Sequence, residues 1–151
     1  MRLFAGVWPS EDVLDAVEAL PRPDGPRWTR RDQWHVTLRF FGEDEDAAAC
    51  GDLLRAVASA SASRSVMLGP ATKMLGRGGL LMIPVAGLDD LGAAFGSKPF
   101  TGHLTLARDA PRTLAGAPIA ASFAVTTLCL IRSHLGSGPA RYETITTAAL
   151  G

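Results

Sequence analysis

His35-Val36-Thr37-Leu38 in the first part of the chain is answered by His103-Leu104-Thr105-Leu106 in the second. Both stretches are apolar, β-branched and bounded by turn residues, so each reads as a strand: Trp34–Phe41 closed by Gly42, and Phe100–Ala107. Side chains alternate along a strand. His35 and Thr37 therefore share one face, while Val36, Leu38 and Phe40 are expected on the other. The second copy sets His103 and Thr105 in front and Leu104 and Leu106 behind. A lone histidine in a strand is an ordinary structural residue. Two of the chain's three histidines in the same four-residue pattern form a constellation.

Such a pair suits displacement at phosphorus. One imidazole takes a proton from the attacking oxygen and the other gives one to the leaving oxygen. Thr37 and Thr105 can donate to the non-bridging oxygens, where charge accumulates. That scheme calls for no metal and no other cofactor. His134, in a Gly-rich turn, lacks the pattern, so a three-histidine zinc site is the weaker reading.

Working outward, Leu3–Trp8 reads as a buried strand ended by Pro9. Ser10 caps a helix carrying Val13, Leu14, Val17 and Leu20, stopped by Pro21. The acidic run Glu43–Asp46 opens a second helix with an apolar stripe of Cys50, Leu53, Leu54 and Val57. Val66–Leu75 and Leu80–Val85 read as strands joined around Gly76–Gly79. Leu88–Phe95 forms a short helix. Phe123–Ile131 is a strand, and residues 133–139 turn the chain into a last strand, Arg141–Ala148. The order β-α-β-α-β-β-α-β-β-β predicts an α+β fold with largely antiparallel sheet.

The 151 residues suit one domain. Fifteen basic residues balance fifteen acidic ones, which argues against a protein that coats duplex DNA. The balance is uneven along the chain: residues 1–52 hold six bases and eleven acids, residues 53–151 nine and four. Cys50 and Cys129 stand in no metal-ligand spacing and read as buried, reduced core residues. No signal-like opening and no membrane-length apolar run is present, so the expectation is a cytoplasmic protein, working as a monomer away from membranes.

Four blocks in order, RLFAGVWP (2–9), WHVTLRFFGE (34–43), FTGHLTLAR (100–108) and IRSHLGSGPARYE (131–143), give the chain a wider resemblance. It resembles the 2H phosphoesterase superfamily, and within it the RNA 2′,3′-cyclic phosphodiesterases, also called 2′–5′ RNA ligases or LigT-like proteins. The resemblance runs nearly end to end. It implies a bilobal α+β fold, a single domain over 1–151 of two intertwined, pseudo-symmetric lobes around a central cleft, with one histidine from each lobe.

The implied reaction is hydrolysis of a terminal 2′,3′-cyclic phosphate on RNA or a small nucleotide to a 2′-phosphate, with weak 2′–5′ ligation as its reverse. His35 would be the proton donor, His103 the proton acceptor, and Thr37 and Thr105 would hold the phosphate. Arg108, after the second motif, matches a phosphate-directed arginine, provided that the strand ends or bulges near Ala107. Arg39 has the parity of His35 and reads either as a substrate contact or as a rim charge. Tyr142 reads as a pocket floor or base-stacking ring, or as a packed aromatic. Two other readings stay open: a phosphodiesterase acting on another cyclic phosphate or a 2′–5′ oligonucleotide, and a non-catalytic RNA-end-binding module. The segment between Val85 and His103 is shorter than the family usually shows, leaving Leu88–Phe95 as the second lobe's helix.

Overall fold

The computed structural model describes residues 2–43, 46–97 and 99–151. In chain order the elements are β1 (Arg2–Val7), α1 (Glu11–Glu18), β2 (Arg27–Trp28), β3 (Val36–Glu43), α2 (Ala47–Ser59), β4 (Arg64–Leu68), β5 (Lys73–Leu75), β6 (Leu80–Ala86), α3 (Asp89–Ala94), β7 (His103–Arg108), β8 (Ala121–Val125), β9 (Thr127–His134) and β10 (Arg141–Ala149). All strand pairings are antiparallel, in one curled sheet ordered β10-β9-β1-β3-β7-β6-β4-β8, with β2 added to β7 and β5 to β6. This is the expected α+β class.

The order has an internal symmetry. Counting outward from the middle, β3, β1, β9 and β10 make one half, and β7, β6, β4 and β8 make the other. The halves meet where Val36 of β3 pairs with Leu104 of β7. Both side chains are fully buried, each contributing roughly 1.5–3 kcal/mol of hydrophobic stabilisation. Beyond that pair β3 leaves β7, whose edge is taken over by β2 and by Thr29, whose N–H donates to Leu106 O at 2.8 Å.

One face of the sheet carries the main core, into which Val13 and Val17 of α1, Leu54 and Val57 of α2, and Leu91 of α3 pack beside Val36, Leu38, Leu104 and Leu106. The other face carries a smaller aromatic cluster of Phe4, Cys129 and Ile131 with Trp8 and Tyr142. Cys50 and Cys129 are both buried.

Four expectations need correction. Val66–Leu75 is two strands, because Gly69 takes φ +117° and Pro70 has no N–H for the ladder. Phe123–Ile131 is also two strands: β8 pairs with β4 in one half, and β9 pairs with β1 in the other, so the chain crosses between halves at Thr126. Glu43 ends β3, and Asp46 caps α2 by accepting from the N–H groups of Ala48 and Ala49; Asp44 and Glu45 lie outside the described residues. Finally, the short α3 packs on β3 of the first half, whereas β8 in the second half is covered by α1. The short segment before His103 therefore costs the second half no helical cover.

Candidate active site

The route to His35 begins in a 3-10 turn at Arg31–Gln33. Arg31 anchors the turn to α1 through ion pairs with Glu11, Asp15 and Glu18 at 2.7, 2.9 and 3.0 Å. Gln33 closes it: its side-chain oxygen accepts from the Arg30 N–H, and its Nε2 donates to Ala140 O, both at 2.9 Å. The Gln33 carbonyl then lies 2.7 Å from His35 Nδ1. A carbonyl only accepts, so Nδ1 carries the hydrogen and Nε2 is the proton-exchanging atom. Nε2 sits 2.9 Å from Thr37 Oγ1. The imidazole itself lies just ahead of β3, at the entrance to the expected strand.

His103 repeats the device. Its Nδ1 donates to Thr101 O at 2.8 Å, again the carbonyl two residues earlier, so it too presents Nε2. The antiparallel register centred on Val36 and Leu104 sets His35 level with Thr105 and Thr37 level with His103. All four side chains are half-buried, between fully buried neighbours in each strand.

The ring of His35 is enclosed by Phe4, Tyr142 and Trp8, with centroids at 4.8, 5.1 and 5.8 Å. Burial pushes its pKa below the usual imidazole value. The Gln33 carbonyl opposes that shift, and the charge of His103 adds to it. Tyr142 is also raised by burial, with the nearby charge of Arg108 pulling the other way. His35 therefore feels the charge of His103, and Tyr142 that of Arg108, while the Tyr142 ring packs against His35.

Each motif strand carries a bulge at the same place. Along β3 and β1, Ala5 pairs with Arg39 and Gly6 with Thr37, leaving Leu38 as the extra residue. Along β7 and β6, Leu81 pairs with Ala107 and Met82 with Thr105, leaving Leu106 extra. Both extra residues stand three positions after the histidine, and each inverts the alternation that follows. In β7 the inversion turns Arg108 onto the face of His103 and Thr105. Asp109, at φ +56°, then ends the strand and pairs with Arg27 at 2.6 Å.

In β3 the same inversion corrects two expectations. Arg39 turns to the helix side, where it donates to Phe95 O at 2.6 Å and lies over the Phe41 ring. Phe40 turns into the cleft, two-thirds exposed, 5.7 Å from the Phe4 ring to which it is paired. Phe40 is the residue that strand alternation missed. It stands five positions after His35, as Arg108 stands five after His103, and aligning the two motifs at that offset would have exposed the match.

His134 lies away from this cleft, bonded to Glu143 at 2.9 Å. Among the described residues no three His, Cys, Asp or Glu side chains gather as a metal site, and no helix is long and apolar enough to cross a membrane.

No model of a known protein family matches the sequence, and no curated protein matches it. Solved structures do. TT0787 of Thermus thermophilus superposes with a TM-score of 0.84 at 25% identity, covering 99% of this chain and 98% of that one. Escherichia coli LigT in its apo form gives 0.78 at 27% identity, over 99% and 96%. LigT complexed with 3′-AMP gives 0.76 at 25%, over the same shares, and the same protein has been crystallised with NADP+ and with ATP. The chain shares, over nearly its whole length, the fold of the LigT-like 2H phosphoesterases. The agreement with these structures is end to end, so every strand around the two motifs lies inside the shared fold.

Proposed function

We propose that this LigT-like protein hydrolyses the 2′,3′-cyclic phosphate at an RNA 3′ end or on a small nucleotide, leaving a 2′-phosphate. The observation that carries the reading is the matched pair of imidazoles, each with Nδ1 bonded to the carbonyl two residues earlier and Nε2 left for proton exchange.

The reaction balances with these groups alone. Water attacks phosphorus as His103 Nε2 takes its proton; the P–O3′ bond breaks as His35 Nε2 delivers a proton to O3′. Burial by itself favours neutral His35. The negative charge of a bound phosphate favours the imidazolium, so His35 loads its proton as substrate arrives. Thr37, Thr105 and Arg108 donate to the non-bridging oxygens. Phe40 and Tyr142, backed by the buried Phe4 ring, offer aromatic faces to the base, in keeping with the nucleotides that LigT binds. Run in the same direction with a 5′-hydroxyl end in place of water, the same steps join RNA ends by a 2′–5′ bond: His103 takes the hydroxyl proton, and O3′ leaves with a proton from His35.

The test is incubation with 2′,3′-cyclic AMP, with the product read by phosphorus NMR, with and without EDTA. Formation of 2′-AMP in both conditions, lost in His35→Ala and His103→Ala, supports the reading. A 3′-phosphate overturns the regiochemistry. Binding without turnover makes the protein an RNA-end-binding module, and turnover confined to 2′–5′ oligonucleotides changes the substrate.

A further inference from the structure

A bulge leaves one residue of its strand unpaired and disrupts the ladder locally. In this protein both bulge carbonyls are served from across the junction between the halves. Ser97 Oγ donates to Leu38 O of β3 at 2.8 Å. On the other side, the Thr29 N–H donates to Leu106 O of β7 at 2.8 Å, and its hydroxyl lies within reach of Leu106 O at 2.8 Å and Thr105 O at 2.9 Å. Thr29 stands six residues before His35, and Ser97 six before His103. Each loop leading into one motif is therefore bonded to the bulge that follows the other.

Further contacts hold the donors in place. Thr29 Oγ1 accepts from the indole of the fully buried Trp34 at 2.9 Å. Ser97 follows Gly96, whose φ of +89° ends α3 with the Ser97 N–H on Gly92 O and the Gly96 N–H on Ala93 O. The Phe95 carbonyl at that same end takes the Arg39 guanidinium.

We propose that Thr29 and Ser97 are positioning residues: their reciprocal bonds fix the two motif strands against each other and so set the span between His35 and His103. The strands pair directly only at Val36 and Leu104, which by itself is a pivot. Two hydroxyl bonds on either side of a pivot remove the remaining freedom. Proton transfer at both ends of one phosphate is sensitive to that span, since displacements of about 1 Å can cost a hundredfold in rate. The inference deepens the cyclic phosphodiesterase reading and rests on it.

Ser97→Ala, Thr29→Val and the double variant test it on 2′,3′-cyclic AMP, with Ser97→Thr and Thr29→Ser as conservative rescues. Each single loss is expected to lower kcat roughly three- to tenfold with KM within about twofold, and the rescues to restore most of it. A raised KM at parent kcat, or parent kinetics in folded single variants, overturns the proposal. Should Thr29→Val fail to fold because it strands the Trp34 indole, Ser97→Ala and Thr29→Ser carry the test.

A second readout needs no substrate. Spin labels placed by Met67→Cys on β4 and Thr147→Cys on β10 report the distance between halves. A broadened distribution in Ser97→Ala is expected, and an unchanged one overturns the positioning role. An inactive parent protein instead sinks the cyclic phosphodiesterase reading, so the two failures are distinguishable.

Discussion

Val36 and Leu104 pair directly across β3 and β7, each the middle residue of a His-x-Thr motif, and both are fully buried. The relationship makes the candidate site and the sheet's narrowest junction the same place. The two halves of the sheet touch there, and the four polar side chains of the site flank it.

Leu104→Ala should therefore cost about 2–5 kcal/mol, the range for emptying a buried leucine site, and activity should fall with stability rather than separately. Denaturant unfolding followed by intrinsic fluorescence measures the first, and residual turnover well below the transition measures the second. Parent stability in this variant would contradict the packing at the junction.

His35→Ala and His103→Ala should each reduce turnover by roughly 10²–10⁴-fold while leaving the circular dichroism spectrum unchanged. Both side chains sit at the cleft rather than in the main core, which is why the fold should tolerate their loss. Steady-state kinetics on a cyclic nucleotide decides the matter.

The fold class and the paired histidines were legible because both rest on local signals: alternation, turn residues and a repeated motif. What alternation misassigned traces to the bulges. One inserted residue at Leu38 sends Phe40 into the cleft and Arg39 to the helix side, and nothing in the spelling LRFF marks it. The same insertion at Leu106 supplies the bend that Arg108 requires. The break at Gly69-Pro70 was spelled out and overridden by the apolar run around it. The placement of α1 over β8 is a long-range matter that periodicity does not reach.

Stability should depend on pH through His35. Its folded pKa lies below the usual 6.5, so the folded state holds the neutral ring more firmly than the unfolded chain does. The associated stability is present above about pH 6.5 and is lost as pH falls through the folded pKa. Thermal melts between pH 8 and 5 should show a steeper acid-side decline for the parent than for His35→Gln. The kcat/KM profile should also fall on both sides of a maximum, because one imidazole must be neutral and the other charged; a flat profile from pH 5 to 9 contradicts the pair.

Arg108 and Arg39 should separate cleanly. Arg108 shares the face of His103, so Arg108→Ala removes a charge-assisted hydrogen bond worth about 1.5–3 kcal/mol, or roughly 10- to 150-fold in kcat/KM. Arg39 is engaged with Phe95 O on the helix side, so Arg39→Ala should leave KM near the parent value. Equal KM effects for both would return Arg39 to the substrate.

Gly6→Ala should disturb the site from behind β1. A Cβ at residue 6 would meet the Val36 carbonyl at 2.7 Å, closer than side chains tolerate. The expected cost is about 1–3 kcal/mol, together with reduced activity, since the displaced carbonyl lies between His35 and Thr37. A parent-like melting temperature would show that β1 can yield there.

The matched bulges also bear on direction. His35 with Thr37, and His103 with Thr105, are near-equivalent under exchange of the halves, and a cyclic phosphate bridging two ribose oxygens is almost indifferent to reversal. A site made of these four residues alone would have no handle on which oxygen departs. The fifth positions break the tie, one slot filled by a guanidinium and its counterpart by a phenyl ring. On the proposed function, a nucleotide, with one charged end and one flat apolar end, would enter a cleft of that polarity one way round.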